Sequence, residues 1–230
     1  GVILGLLVAY QLFLGEEPLL IAATTLAVFC LAYLAACPGP ARAMAGHLVR
    51  GLPIGAAVCL AVAGYPLWWQ FFGPQGYHNL EHGSVGNDLA AITAFASDSL
   101  AGDPSVAGRL AINPTEENAF FGWPLVVLVV VIGIWLWRLA ATRALVVTAA
   151  VMTVLSLGSP LRVAGTDTGI PGLWSLISTL PLYESVIESR FALGAVPAIG
   201  VLLALACDRV VAASPVSAPS LPAPPLPGTA

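Results

Sequence analysis

Charge is scarce in this sequence, and lysine is missing from it altogether. Of 230 residues only 9% are charged while 58% are hydrophobic, where a soluble domain is about a quarter charged. A water-soluble core of this length could not hide so much apolar surface. The basic residues are all arginine, eight of them, and the formal net charge is -4. No basic stripe is available to neutralise phosphates, which excludes nucleic acid as a partner. Cys30, Cys37, Cys59 and Cys207 form no CxxC pair and fall in or beside apolar blocks. They read as small packing residues rather than zinc ligands or a disulfide framework. Lacking too are a basic leader and a small-residue cleavage site at the apolar start of the chain, so no signal peptide is indicated.

What is there is a series of long apolar blocks with polar joints, the pattern of several spanning helices. The expected fold is all-α, a polytopic transmembrane bundle over residues 1–211, with spans near 1–14, 18–37, 51–69, 123–138, 144–158 and 191–207. Residues 1–14 would extend about 21 Å as a helix, short of the roughly 30 Å of hydrocarbon. The first helix is therefore expected to be cut, and the chain to be the C-terminal portion of a protein whose N-terminal half is missing. Cys37-Pro38-Gly39-Pro40 and a loop bearing Arg42, His47 and Arg50 separate the second and third spans, and Gly51 with Gly55 would allow close helix packing. The Pro, Ala and Ser tail, 212–230, is expected to be extended and disordered.

Two long polar stretches remain, 70–122 and 159–190. The first is flanked by Trp68-Trp69 and Trp123, aromatic residues suited to a membrane interface. Arg42, Arg50, Arg138, Arg143 and Arg209 fall on one side of the alternating spans. The positive-inside rule makes that side cytoplasmic, in a multi-pass cell-membrane protein whose tail is also cytoplasmic. Loop 70–122, loop 159–190 and the Glu16-Glu17 turn then share the extracytoplasmic face.

The candidate site residues lie on that face. Glu16 and Glu17 could supply a general base or hold a divalent cation, or could be the polar tip of a helical hairpin. His78, Glu81 and His82 match the HxxEH spacing of one class of zinc peptidases, but Gly76 and Gly83 confine the motif to about two turns, and no downstream acid stands where a third ligand belongs. A metal or substrate contact and an ordinary polar loop both remain open there. Asn87 or Asp88 is a plausible N-cap for a helix carrying Leu89, Ile92, Phe95 and Leu100. Asn113-Pro114-Thr115-Glu116 has cap, proline and acid in the order of a helix start, so two short helices are expected in the loop, the second feeding straight into the Phe120–Trp123 aromatics. Glu116 and Glu117 read as capping and dipole-compensating acids. Residues 171–180 suit a helix lying in the membrane surface. Glu184 and Glu188 would share a helical face, and Arg190 could grip a phosphate in two places or pair with Glu188.

Four stretches, Tyr10-Gln11-Leu12-Phe13-Leu14-Gly15-Glu16-Glu17, Gln70-Phe71-Phe72-Gly73-Pro74-Gln75, Asn113 to Pro124, and Leu180 to Val186 with Ser189-Arg190-Phe191, give the chain a family likeness. It resembles large actinobacterial polytopic proteins of the GT-C glycosyltransferase type, with similarity also to YfhO-like membrane proteins. The resemblance implies an enzyme that takes a sugar from a polyprenyl-phosphate donor at the outer face of the cell envelope. It implies an acidic residue of an early outer loop as base and a basic residue nearer the C-terminus on the donor phosphate. Glu16 and Glu17 would then be supporting acids, and Arg190, Glu188, Glu184, Asp88, His78 and His82 substrate contacts, amid membrane lipids. The sequence departs from the pattern in having no DxD and no Trp-Trp-Asp. The alternative is a non-enzymatic membrane protein, a lipid or polysaccharide translocator or an assembly subunit. The near absence of charge within the spans disfavours ion-coupled transport.

Overall fold

The computed structural model describes residues 1–74 and 85–213. Its helices are α1 (Val2–Leu14), α2 (Glu16–Ala36), α3 (Pro38–Phe72), α4 (Pro104–Leu110), α5 (Trp123–Trp135), α6 (Ala140–Ser156) and α7 (Ala195–Ala213). Short 3-10 turns and one hairpin, β1 (Arg162–Val163) with β2 (Thr166–Asp167), fill the connections. Among the described residues three helical stretches are long and apolar enough to cross a membrane: Glu16–Ala36, Pro38–Phe72 and Glu188–Ala213, the last being α7 with the 3-10 turn before it. Helices α1, α5 and α6 are apolar but shorter; the 13 residues of α1 or of α5 rise about 20 Å. Their outer faces are apolar as well, with Ile3 of α1 76% and Ile134 of α5 72% exposed. Surfaces of that kind match hydrocarbon rather than water, and make this a membrane protein.

Helix α6 is the centre of the larger packing unit. Thr142, Leu145, Ala149, Met152 and Ser156 recur at helical spacing and are all buried, and α6 packs against α2, α7 and the 3-10 turn Glu188–Gly194. Thr148 returns its hydroxyl to the Ala144 carbonyl at 2.7 Å, so a polar side chain is buried without an orphan donor. A smaller unit pairs α1 with α3 through Ala9, Cys59 and Ala63. There Gly5 lies against Gly55 so closely that a Cβ on Gly5 would run into the Gly55 carbonyl. The expected Gly51/Gly55 pair is thus half used, because a Cβ on Gly51 would point into open space.

Several boundaries differ from the sequence reading for visible reasons. Helix α3 begins at Pro38, so Arg42, His47 and Arg50 are helical rather than in a loop. Pro38 occupies the first turn, where a missing N–H costs nothing, and alanines carry the helix onward. In the first polar stretch Asp88 and Asn113 cap their turns as expected, but each caps only a 3-10 turn, Leu89–Thr93 or Pro114–Glu116. Among the described residues of that region the α-helix beyond the end of α3 is α4, capped by Asp103. Ala94 is extended and Phe95 forms a bridge with Phe121, which ends the first turn and separates the second from α5. The surface helix expected over 171–180 is a 3-10 turn, Leu173–Leu176. Leu182, at φ 75°, breaks the path beyond it, so Glu184 and Glu188 sit in separate turns and share no helical face.

Candidate functional site

The connections at one end of the bundle converge on Arg190, in the 3-10 turn leading into α7. Glu17 comes from the first turn of α2 and Glu116 from the turn that Asn113 caps. Asn113 Oδ1 accepts the Thr115 and Glu116 N–H groups at 2.9 and 3.1 Å, and with Pro114 fixing φ this holds Glu116 inward. Arg190 Nη2 and Nε donate to Glu116 Oε1 at 2.6 and 3.1 Å. Its Nη1 donates to Glu17 Oε2 at 2.5 Å.

The two carboxylates are held very differently. Glu116, 6% exposed, also receives the Ser189 hydroxyl at 2.6 Å and the Asn118 amide at 3.0 Å. Burial alone would raise its pKa, but the hydrogen bonds from Arg190 and Ser189 outweigh burial and hold it below its ordinary value. Glu17 is half-buried and has, besides Arg190, the Ile187 N–H at 3.3 Å. Two carboxylates around one guanidinium leave the cluster with an excess of negative charge.

A second set of bonds fixes the platform beneath the cluster. Asn87 donates to the Ser189 carbonyl at 2.8 Å, and Glu188 accepts the Val85 N–H at 3.0 Å. Asp88 accepts N–H groups from Ala90, Ala164 and Gly165 at 2.8, 2.9 and 2.6 Å, tying the long loop to the β1–β2 hairpin. Gly86 and Gly158 pass in near contact here, and a Cβ on Gly86 would strike the Leu157 carbonyl. Glu117 accepts the Ser97 N–H and hydroxyl.

Two cavities meet at Glu17. The first, of about 690 Å³, is an apolar groove between α2, α6 and α7, lined by Ile21, Leu26, Phe29, Leu145, Val201 and Leu205 among others. Glu17 and Arg190 are its charged lining residues and stand at one end. From Glu17 to Phe29 the groove follows α2 for about 18 Å. The second cavity, of about 720 Å³, lies on the other flank of α2, where Leu12, Leu19, Leu67 and Phe71 meet Glu16, Glu17, Glu184 and Ser185. A bond of 2.7 Å between the Thr24 and Tyr183 hydroxyls ties the 3-10 turn Tyr183–Ser185 to α2 beside it.

The structure therefore brings Arg190 and Glu17 into direct contact and puts Glu16 and Glu184 on the neighbouring cavity. Arg190 pairs with Glu17 and Glu116 rather than with Glu188. Asp88 and Glu188 are fully or almost fully buried, bond to backbone N–H groups, and line neither cavity; they hold the platform together. His78 and His82 lie outside the described residues. Among the described residues no three His, Cys, Asp or Glu side chains gather as a metal group, and Glu17 of the expected cation pair is engaged by Arg190. Sequence reasoning missed Glu116 as the buried partner of Arg190, because its place in a capping motif already accounted for an acid there. Comparison with family models, with curated proteins and with solved structures gives no match.

Proposed function

We propose that this chain belongs to the membrane region of a GT-C-like glycosyltransferase that uses a polyprenyl-phosphate-linked sugar at the extracytoplasmic face. The observation that carries the reading is the long apolar groove with an arginine at one end and a second, partly polar cavity beside it. In this reading all six apolar helices cross the membrane in alternation, with the Arg190 cluster outside and the end of α7 inside. The prenyl chain lies along α2 in the groove, its phosphate reaches Arg190, and the acceptor occupies the cavity bounded by Glu16, Glu17 and Glu184. The acceptor hydroxyl oxygen bonds to the anomeric carbon as the bond from that carbon to the phosphate oxygen breaks. Polyprenyl phosphate leaves, and the hydroxyl proton passes to a carboxylate at the shared wall of the two cavities.

The test is consumption of decaprenyl-phosphate-linked sugar by the full-length protein in vesicles, compared with Arg190→Ala and with Glu16→Gln and Glu17→Gln. Loss of turnover in the arginine variant and a fall in at least one glutamine variant are expected. Wild-type turnover in all three would remove these residues from the reaction. A second reading is favoured by the same cluster: the ion pairs join α2, the long loop and the start of α7, as a purely architectural clasp would in a non-enzymatic assembly subunit. Absence of any turnover by intact full-length protein would leave that reading.

A further inference from the structure

We propose that Glu17 is an exchangeable counter-ion on Arg190, occupying the place that the anionic head of a bound prenyl phosphate takes. The proposal rests on the reading of the groove given above and adds to it a competition that opposes binding. A guanidinium already shared by two carboxylates cannot take a phosphate as well without gathering three anions around one cation. One carboxylate has to leave, and the structure distinguishes the two. Glu116 is buried, spans the Nε and Nη2 edge of Arg190, and is further held by Ser189 and Asn118. Glu17 is more exposed, at 27% of its side chain, and has one short bond to Nη1 and one long bond to the Ile187 N–H.

Geometry also gives Glu17 somewhere to go. It is the residue common to both cavities, so a rotation about its side-chain bonds moves the carboxylate from the groove end toward the partly polar space beside Glu16 and Ser185. The groove then presents Arg190 Nη1 at the end of its apolar wall. An amphiphile with a long chain and a compact anionic head satisfies both parts of that surface; free phosphate satisfies only one. The exchange predicts a sign opposite to that of an ordinary ligand contact: neutralising Glu17 tightens binding.

The experiment measures binding of decaprenyl phosphate, decaprenol and inorganic phosphate to the full-length protein in detergent. The proteins compared are wild type, Glu17→Gln, Glu17→Asp as the shortened carboxylate, and Glu117→Gln as a nearby carboxylate that bonds Ser97 rather than Arg190 and lines neither cavity. Expected are a wild-type preference for decaprenyl phosphate over decaprenol and an affinity for the phosphate about five- to tenfold higher in Glu17→Gln. Glu17→Asp should show a smaller rise, Glu117→Gln a change under about twofold, and millimolar inorganic phosphate should not compete. Unchanged or weaker binding in both Glu17 variants, with the wild-type preference intact, overturns the exchange and leaves the groove reading standing. An equal rise in Glu117→Gln and Glu17→Gln overturns it in favour of general charge. Competition by inorganic phosphate at its bulk concentration overturns the requirement for a chain. If neither lipid binds any of the proteins, the groove reading falls and the exchange with it.

Discussion

Arg190 and Glu17 meet at 2.5 Å although 173 positions separate them in the chain, and Arg190 reaches Glu116, 74 positions away, with its other edge. One side chain therefore fixes the first turn of α2, the middle of the long loop and the start of α7 relative to one another. Each bond is partly withdrawn from water, so it is weakened less by screening than a surface pair would be.

Glu116→Ala should be the most disruptive substitution in this cluster. It leaves Ser189 and Asn118 without their acceptor and strips Arg190 of its two-pronged partner. Removing one member of a buried, hydrogen-bonded pair costs about 3 kcal/mol. The expected result is a clearly lowered unfolding temperature in detergent, while Glu117→Ala, which loses only the bonds to Ser97, should fall by a third as much or less.

Acid should loosen the same joint. The pKa of Glu116 is held below its ordinary value of 4.5 in the folded protein, so the folded state binds the proton less readily than the unfolded chain. The contribution is complete above pH 4.5 and is lost as pH falls through the depressed folded value. Thermal unfolding followed from pH 7 to pH 3 should show a decline beginning below about pH 5, and Glu116→Gln should flatten that part of the profile. A wild-type curve that falls no more steeply than the variant's would remove Glu116 from the acid response.

Much of the bundle was legible in the sequence, and the reason is physical. Apolar blocks that must face hydrocarbon leave a pattern no other environment produces, so the helices around residues 18–37, 123–138 and 144–158 were visible as blocks. Arg190 and Glu17 stood out because charge is so rare here. Their pairing was not legible, since partners 173 positions apart leave no local signature. Nor was the burial of Asp88 and Glu188: a carboxylate that accepts backbone N–H groups looks, in sequence, like one waiting for a ligand. The extension of α3 back to Pro38 was masked by Cys37-Pro38-Gly39-Pro40, whose prolines suit a helix start as well as a turn.

The α1–α3 contact offers a test with an internal control. A side chain on Gly55 would press on the backbone of α1 at Gly1 and Gly5, whereas Gly51 faces open space. Overpacking a close helix contact costs about 1–3 kcal/mol. Gly55→Val should lower the unfolding temperature accordingly, and Gly51→Val should change stability by no more than about 0.5 kcal/mol. Equal effects would mean that the two helices do not meet along the Gly5–Gly55 line.

The groove itself can be filled from α2 without touching any charged residue. Ala22 lines the apolar groove and Ala23, its neighbour in sequence, lines the other cavity; both are exposed, so neither substitution opens the packed core. An indole at position 22 would occupy the path of a prenyl chain between α2 and α7, while one at position 23 points to the opposite flank. Ala22→Trp should weaken decaprenyl phosphate binding by about tenfold or more, equivalent to at least 1.4 kcal/mol, and Ala23→Trp should leave it within about twofold. The contrast is sharper than any single loss of binding, because both variants add the same bulk to the same turn of one helix. If Ala23→Trp were the damaging variant and Ala22→Trp the silent one, the chain would lie in the cavity beside Glu16 and Glu184, and the roles given to the two cavities would be reversed.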